Sequence, residues 1–299
     1  MATRALITGI RGFTGRYMAA ELVQAGYDVF GLAHGTQDVT LTGVKEIVLC
    51  DLDAPKSLSY AINSIQPDIV IHLAAIAFVA HGDANAIYRT NVIGTRNLLE
   101  ALSSAPVKPA AVLLASSANV YGNSTAGTLN ESSLTAPAND YAVSKLAMEY
   151  LAKTYYNKLP IIIVRPFNYT GVHQSASFLL PKIVNHLRHR APEIELGNID
   201  VSRDFSDVRT VVQYYRKLVE HPGAIGEVFN VCSEAAHSLS DVLVLAQSIA
   251  GHKLDIRINP LFVRQNEVPV LIGSKAKLVS LVGGVERIEL ADTLRWMIA

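Results

Sequence analysis

Arg4-Ala5-Leu6-Ile7-Thr8-Gly9-Ile10-Arg11-Gly12-Phe13-Thr14-Gly15 is the stretch that decides how the chain is read. Arg4 to Thr8 is a short apolar run, the pattern of a strand buried on both faces. Gly9, Gly12 and Gly15 follow at a spacing of three, and a helical pattern through Tyr17, Leu22 and Val23 then stops at Gly26. Glycine lets the backbone turn tightly and approach a ligand closely. The first turn of the helix adds free N–H groups and a partial positive charge. Strand, turn and helix at the head of an α/β chain predict a pocket for the pyrophosphate of a dinucleotide. Its walls would be Gly9, Gly12 and Gly15, with Arg11 and Phe13 in the loop.

Working outward, the pattern repeats. A second strand, Asp28–Leu32, ends in Ala33-His34-Gly35, where no acid is present to bond an adenosine ribose. His34 stands where a cation could meet a 2′-phosphate, and Arg11 could reach the same group, so NADP(H) is favoured, with NAD possible. A third strand, Glu46–Cys50, ends at Asp51-Leu52, a place suited to the adenine amine. A fourth, Ile69–Leu73, runs into Ala74 and Ala75, small residues that leave room for a ligand against the backbone; His72 inside it reads as a satisfied buried histidine. A long helix over residues 85–102 carries Asn91, which could tie strand ends together. A fifth strand, Ala111–Ala115, delivers Ser116 and Ser117 to the crevice beyond its C-terminal end. A sixth, Ile161–Val164, leads into Arg165-Pro166-Phe167-Asn168. Six strand–helix alternations without a composition break predict a doubly wound parallel sheet over residues 1–170. Shorter strands and helices over residues 171–299 predict a smaller α/β lobe, some of whose elements could return to the first domain.

Between the fifth and sixth strands lies Asn139-Asp140-Tyr141-Ala142-Val143-Ser144-Lys145. Residues four apart share a helix face, so Tyr141 and Lys145 point the same way. A nearby ammonium would lower the phenol pKa and let Tyr141 exchange a proton near neutrality. Alone, the pair fits an ordinary surface helix equally well.

Bulk properties narrow the classes. The chain has 299 residues, 50% hydrophobic and 17% charged, with 26 basic against 26 acidic side chains. That balance carries no electrostatic footprint for nucleic acid or an anionic membrane. Cys50 and Cys232 have no metal or redox spacing and read as buried thiols in a reducing compartment; no metal site is expected. With no signal pattern and no long apolar run, a cytoplasmic location is expected.

Taken together, the motifs resemble the extended short-chain dehydrogenase/reductase family, in its NAD-dependent nucleotide-sugar epimerase/dehydratase branch. The resemblance rests on the glycine loop, Asp51-Leu52, His72-Leu73-Ala74-Ala75 and Asn91 to Thr95. It continues through Ser116 to Gly122, Tyr141 to Lys145, Arg165 to Asn168 and Arg203 to Val208. It implies a Rossmann-like fold and a homodimer. Tyr141 would be the acid/base, Lys145 the partner of the nicotinamide ribose, and Ser117 the group holding a substrate oxygen, with Leu73, Ala74, Ala75 and Pro166 lining the cofactor. The dehydratases of this branch carry a carboxylate two residues before the Tyr-Gly pair, where this chain has Asn119. Dehydration is therefore not expected, whereas hydride transfer at C4 is. The second half, notably Gly197 to Asp200, Arg203 to Phe205 and Asn259 to Ser274, is similar to the GDP-4-keto-6-deoxy-D-mannose reductases. That similarity implies a GDP-sugar substrate, with Arg203 and Arg264 on the pyrophosphate, Glu267 on a ribose, and Asn168 and Lys182 at the sugar-nucleotide site.

Overall fold

The computed structural model describes residues 2–35, 40–77, 82–123, 127–262 and 270–299. The first half runs β1 (Arg4–Thr8), α1 (Phe13–Gln24), β2 (Asp28–Ala33), β3 (Val44–Leu49), α2 (Pro55–Ile65) and β4 (Ile69–His72). It continues with α3 (Ala84–Tyr88), α4 (Thr95–Ser104), β5 (Ala111–Ala115), β6 (Gly127–Leu129), α5 (Asp140–Lys153) and β7 (Ile161–Pro166). Then come β8 (Asn168–Thr170), α6 (Leu179–Arg188), β9 (Glu193–Leu196), β10 (Ser202–Asp207), α7 (Val208–Glu220), β11 (Val228–Val231) and β12 (Ala236–Ser238). The chain closes with α8 (Leu239–Ala250), β13 (Asp255–Ile258), β14 (Val270–Gly273), α9 (Ala276–Val282) and α10 (Leu290–Ile298).

Seven strands form one parallel sheet in the order β11-β7-β5-β4-β1-β2-β3. Alternate residues of each strand point to opposite faces, so the apolar runs feed two cores. Leu6, Val70, Val112 and Leu114 meet Leu58, Ile62, Leu98, Leu102 and Met148 from α2, α4 and α5. Ile7, Ile71, Leu113 and Ile162 meet Met18, Leu22, Val211, Leu218 and Leu278 from α1, α7 and α9. Each such side chain, fully buried, contributes about 1.5–3 kcal/mol. Strand order reverses between β1 and β4, which opens a crevice at their C-terminal ends.

Chain order and spatial order part company after residue 170. Helix α7 packs on α1, and β11 joins the edge of the main sheet beside β7. Conversely β6, from the first half, pairs with β14, and β8 pairs with β10. A third apolar core holds the smaller lobe together, with α6, α8 and α10 closing over Ile194, Leu196 and Phe205.

The long helix expected over residues 85–102 spans 84–104 but is broken by a π-helical turn, Arg89–Gly94. The wider turn is anchored by Asn91, which is buried and bonds outside the helix. Such bulges have no signature in apolar periodicity and gather at functional sites.

The glycine loop shows why its residues are small. Gly9 has φ +69°, and a Cβ there would lie 2.8 Å from the Ala74 backbone; a Cβ on Gly15 would lie 2.3 Å from the Gly9 carbonyl. Gly15→Ala is expected to destabilise the protein by about 1–3 kcal/mol through overpacking. Gly284→Ala, where a Cβ meets nothing within 4 Å, is expected to change it by less than about 0.5 kcal/mol. Urea midpoints of the two variants check the contrast, and equal midpoints would refute it.

Candidate active site

Helix α5 positions the central pair. Asn139 caps it by accepting from the Ala142 amide at 2.9 Å, Asp140 lies in the first turn and Lys153 in the last. The capped helix holds Tyr141 and Lys145 on its buried face, at 7% and 4% exposure. Ser117, at the mouth of β5, lies beside the Tyr141 hydroxyl and draws its pKa downward. Its Oγ also accepts from the Asn119 amide at 3.1 Å, capping a short 3-10 turn, Ala118–Tyr121. Ser117, Tyr141 and Lys145 are thus brought together at the ends of the central strands.

The electrostatics differ from the expectation that the ammonium lowers the phenol. Burial pushes the Tyr141 phenol above its ordinary value, and Ser117 pulls the other way without offsetting it. The Lys145 ammonium instead donates to the Ala115 carbonyl at 2.8 Å. Burial brings it down to about 8, against an upward pull from Glu149. The shared helix face was read correctly. What it could not reveal was the loss of hydration, which dominates both groups.

Asn91 links the neighbouring elements. Its amide exchanges bonds with the backbone of Ile76 at 2.9 and 3.1 Å and donates to Ser144 Oγ at 3.0 Å. His72 lies between Thr8 Oγ1 (2.7 Å) and Thr95 Oγ1 (2.9 Å), and burial lowers its pKa to about 3. It is a satisfied, neutral core histidine.

The glycine loop sits beside this centre. Leu73, Ala74 and Ala75 follow β4 directly, and the Ala74 amide donates to Thr8 Oγ1 at 3.2 Å. Phe13 stacks on Tyr169, ring centroids 6.0 Å apart, and the Tyr169 hydroxyl is 2.8 Å from Thr14 Oγ1. Pro166 closes β7 in register with Val231 of β11. At the end of β2, Arg11 Nη1 donates to the Gly35 carbonyl at 2.9 Å, while its Nε is buried without a partner. His34 Nε2 lies 3.4 Å from Asp51 Oδ2, both exposed. The carboxylate that β2 lacks at its own end therefore arrives from the end of β3. Leu52 is buried under Gly94. A glycine turn held too close to its own backbone for side chains at Gly9 and Gly15, and an orphaned guanidinium N–H on Arg11, suit a dinucleotide.

In the smaller lobe, Asn168 Nδ2 donates to the Asp204 carbonyl at 3.2 Å, and half-buried Arg203 donates to the Ser202 carbonyl at 2.8 Å. The Asp204 carboxylate is held by the Ser233 amide and hydroxyl, each at 2.7 Å, and by the Glu234 amide at 3.0 Å. The partners of Asp204 are thus backbone amides and a serine, with no salt bridge among those contacts. Lys182 is not at the centre: it donates to the Glu195 carbonyl at 2.7 Å and lies over the Phe262 ring. Arg264 and Glu267 lie outside the described residues. Sequence reasoning placed Ser116 in the crevice without a role and missed Glu149 and Tyr169. Glu149 alone had a legible signal, four residues beyond Lys145.

Residues 5–232 match the model of the NAD dependent epimerase/dehydratase family. The chain belongs to that family. GDP-6-deoxy-D-talose 4-dehydrogenase from Aggregatibacter actinomycetemcomitans is 34% identical, over 93% of this chain and 90% of its own. GDP-6-deoxy-D-mannose reductase from Pseudomonas aeruginosa is 32% identical, over 99% and 96%. Among solved structures, RMD from Pseudomonas aeruginosa complexed with NADPH superposes with a TM-score of 0.85 at 32% identity, covering 99% of this chain and 98% of that one. A Burkholderia cenocepacia J2315 protein, provisionally assigned as an epimerase, gives 0.93 at 53% identity, covering 99% and 97%. Among the described residues no helix is long and apolar enough to cross a membrane, and no cluster of His, Cys, Asp and Glu could hold a metal ion.

The pKa of Lys145 has a consequence for stability. A base whose folded pKa lies below its unfolded value disfavours folding at every pH where it stays protonated. The cost is full below about 8 and vanishes as pH rises towards 10.5. Lys145→Met is therefore expected to raise the unfolding free energy at pH 7 by up to about 3 kcal/mol, seen as a higher urea midpoint, and to lose that advantage near pH 10.5. A midpoint that falls, or a gain that does not vary with pH, would contradict this.

Proposed function

We propose that this enzyme reduces the C4 ketone of a nucleotide-linked 4-keto-6-deoxy sugar with NADPH. The substrate would be GDP-4-keto-6-deoxy-D-mannose and the product GDP-D-rhamnose. The observation that carries the chemistry is Ser117 placed beside the buried Tyr141 phenol, with Asn119 and no carboxylate on the adjoining 3-10 turn. The similarity to two proteins named for GDP-linked 6-deoxy sugars, each over nearly the whole chain, supports the substrate class.

The reduced dinucleotide supplies the hydride. The chain supplies binding, orientation and the proton. Gly9, Gly12 and Gly15, with Phe13, would hold the pyrophosphate against the start of α1. Arg11 and His34 would meet the 2′-phosphate, with Asp51 and Leu52 at the adenine. Leu73, Ala74, Ala75 and Pro166 would line the path to the nicotinamide, and Lys145 would bond its ribose. Ser117 would hold the C4 oxygen while Tyr141 donates its proton to that oxygen. A phenol kept above its ordinary pKa carries that proton at neutral pH, which suits the reductive direction. Arg203 and Arg264, as guanidinium groups, fit the diphosphate of the substrate. Glu267 and Asn168 would contact the rest of it. For Lys182 the support is weaker, since its ammonium is already spent within the smaller lobe.

Tyr141→Phe is expected to cut turnover with NADPH and the keto sugar by about 10²–10⁴-fold; near wild-type turnover would rule the assignment out. A screen of GDP, UDP, dTDP and CDP should favour GDP, and a clear preference for another base would overturn the substrate while leaving the chemistry. A 4-epimerase retaining NAD is the second reading, favoured by the 53% identical structure provisionally called an epimerase. Cofactor released on denaturation separates the two, because tightly held NAD fits only the epimerase.

The same reading carries a homodimer through α5 and the broken α3–α4 helix, where Ile93, Val143 and Tyr150 are exposed. Ile93→Asp with Val143→Asp should give a monomer by light scattering if this face is the interface, and an unchanged mass would exclude it.

A further inference from the structure

Glu149 lies on α5 one turn beyond Lys145 and two beyond Tyr141, on the same face. It is a carboxylate at 2% exposure. Ser116 Oγ donates to its Oε1 at 2.5 Å, and Arg165 grips both oxygens, Nε to Oε1 at 2.9 Å and Nη2 to Oε2 at 2.6 Å. Arg165 Nη1 continues to the Tyr121 hydroxyl at 3.1 Å, which donates to Asn230 Oδ1 at 2.7 Å. One charged network therefore joins the end of β5, the 3-10 turn, α5, β7 and β11.

Packing does not demand a carboxylate here. Helix α5 is already seated through Met148 and Ala152, and a buried ion pair is often no better for stability than apolar residues of similar volume. What an apolar residue could not do is act on two members of the proton-transfer centre. Ser116, which Glu149 holds, immediately precedes Ser117. Lys145, one turn away, feels the carboxylate as an upward pull on its pKa.

We propose that Glu149 is a positioning residue for the Ser117–Tyr141–Lys145 centre, setting the strand end through Ser116 and placing a carboxylate one helical turn from Lys145, while Arg165 holds Glu149 itself in place. The inference rests on the roles given to those three residues under Proposed function. The groups facing Lys145 are Tyr141 and Glu149 from its own helix, His72 from β4 and the Ala115 carbonyl from β5. His72 is neutral and Tyr141 keeps its proton. Arg165 from β7 is spent on Glu149 and Tyr121, and Tyr156, past the end of α5, is itself raised by Glu149. Glu149 is thus the charge in position to hold the ammonium.

The test uses the full chain labelled with ¹³C-lysine, following the Lys145 Cε resonance against pH, beside the pH profile of kcat. In Glu149→Gln the lysine midpoint is expected to fall by about one pH unit or more. The alkaline limb of kcat should move down with it, while KM for the sugar nucleotide stays within about twofold. Because this variant leaves Arg165 buried without its partner, Glu149→Gln/Arg165→Gln is measured alongside. It should recover the thermal midpoint lost by the single variant yet keep the lowered lysine midpoint. An unmoved lysine midpoint in the single variant overturns the proposal, as does recovery of that midpoint in the paired one; either makes Glu149 a structural residue. The titration needs no substrate. Failure of the reductase reading, seen as Tyr141→Phe retaining turnover, is therefore a separate outcome.

Discussion

A lysine ammonium sealed inside the protein is the constraint around which the centre of this structure is arranged. Lys145 loses most of its hydration, and burial lowers its pKa to about 8. A buried charge persists only where hydrogen bonds and opposite charge offset that loss. The Ala115 carbonyl provides the bond and Glu149 the charge. Glu149 needs compensation of its own, which Arg165 and Ser116 supply. Each requirement recruits another element, so β5, α5, β7 and β11 are locked together by one buried charge and its consequences. The cost falls on stability.

The crevice is also tied to the smaller lobe. Strand β8 carries Asn168 towards β10, while its Tyr169 stacks on Phe13 and bonds Thr14 in the glycine loop. Asp204 on β10 gathers the backbone after β11 into the same place. The surfaces assigned to cofactor and sugar nucleotide are therefore tied together by part-buried hydrogen bonds and a ring stack. Strands β6 and β11, exchanged between the halves, reinforce the coupling.

Much of this was legible in the chain. Apolar runs bounded by turn residues marked β1, β4, β5 and β7 closely, because a strand buried on both faces leaves a local signature. The four-residue Tyr141–Lys145 spacing gave the face that α5 buries. The π-helical turn at Asn91 was not legible, since the bonds that stabilise it go to Ile76 and Ser144, distant in sequence. Nor was the approach of Asp51 to His34, which depends on β2 and β3 pairing in parallel so that their ends coincide.

By itself, then, the sequence determined the doubly wound architecture, the glycine cradle and the identity of Ser117, Tyr141 and Lys145 as the candidate centre. The first two follow from local spacing, backbone freedom and apolar periodicity, which act within one element or its immediate turn; the third came from the resemblance that the motifs carry together. Only the tertiary structure decided the charge states in that centre: a raised phenol, a lowered ammonium and a carboxylate poised one turn away. The reason is that hydration and the field at a side chain are set by every element packed around it. Spacing along one helix says which groups are neighbours; the surrounding protein says which of them can hold a charge.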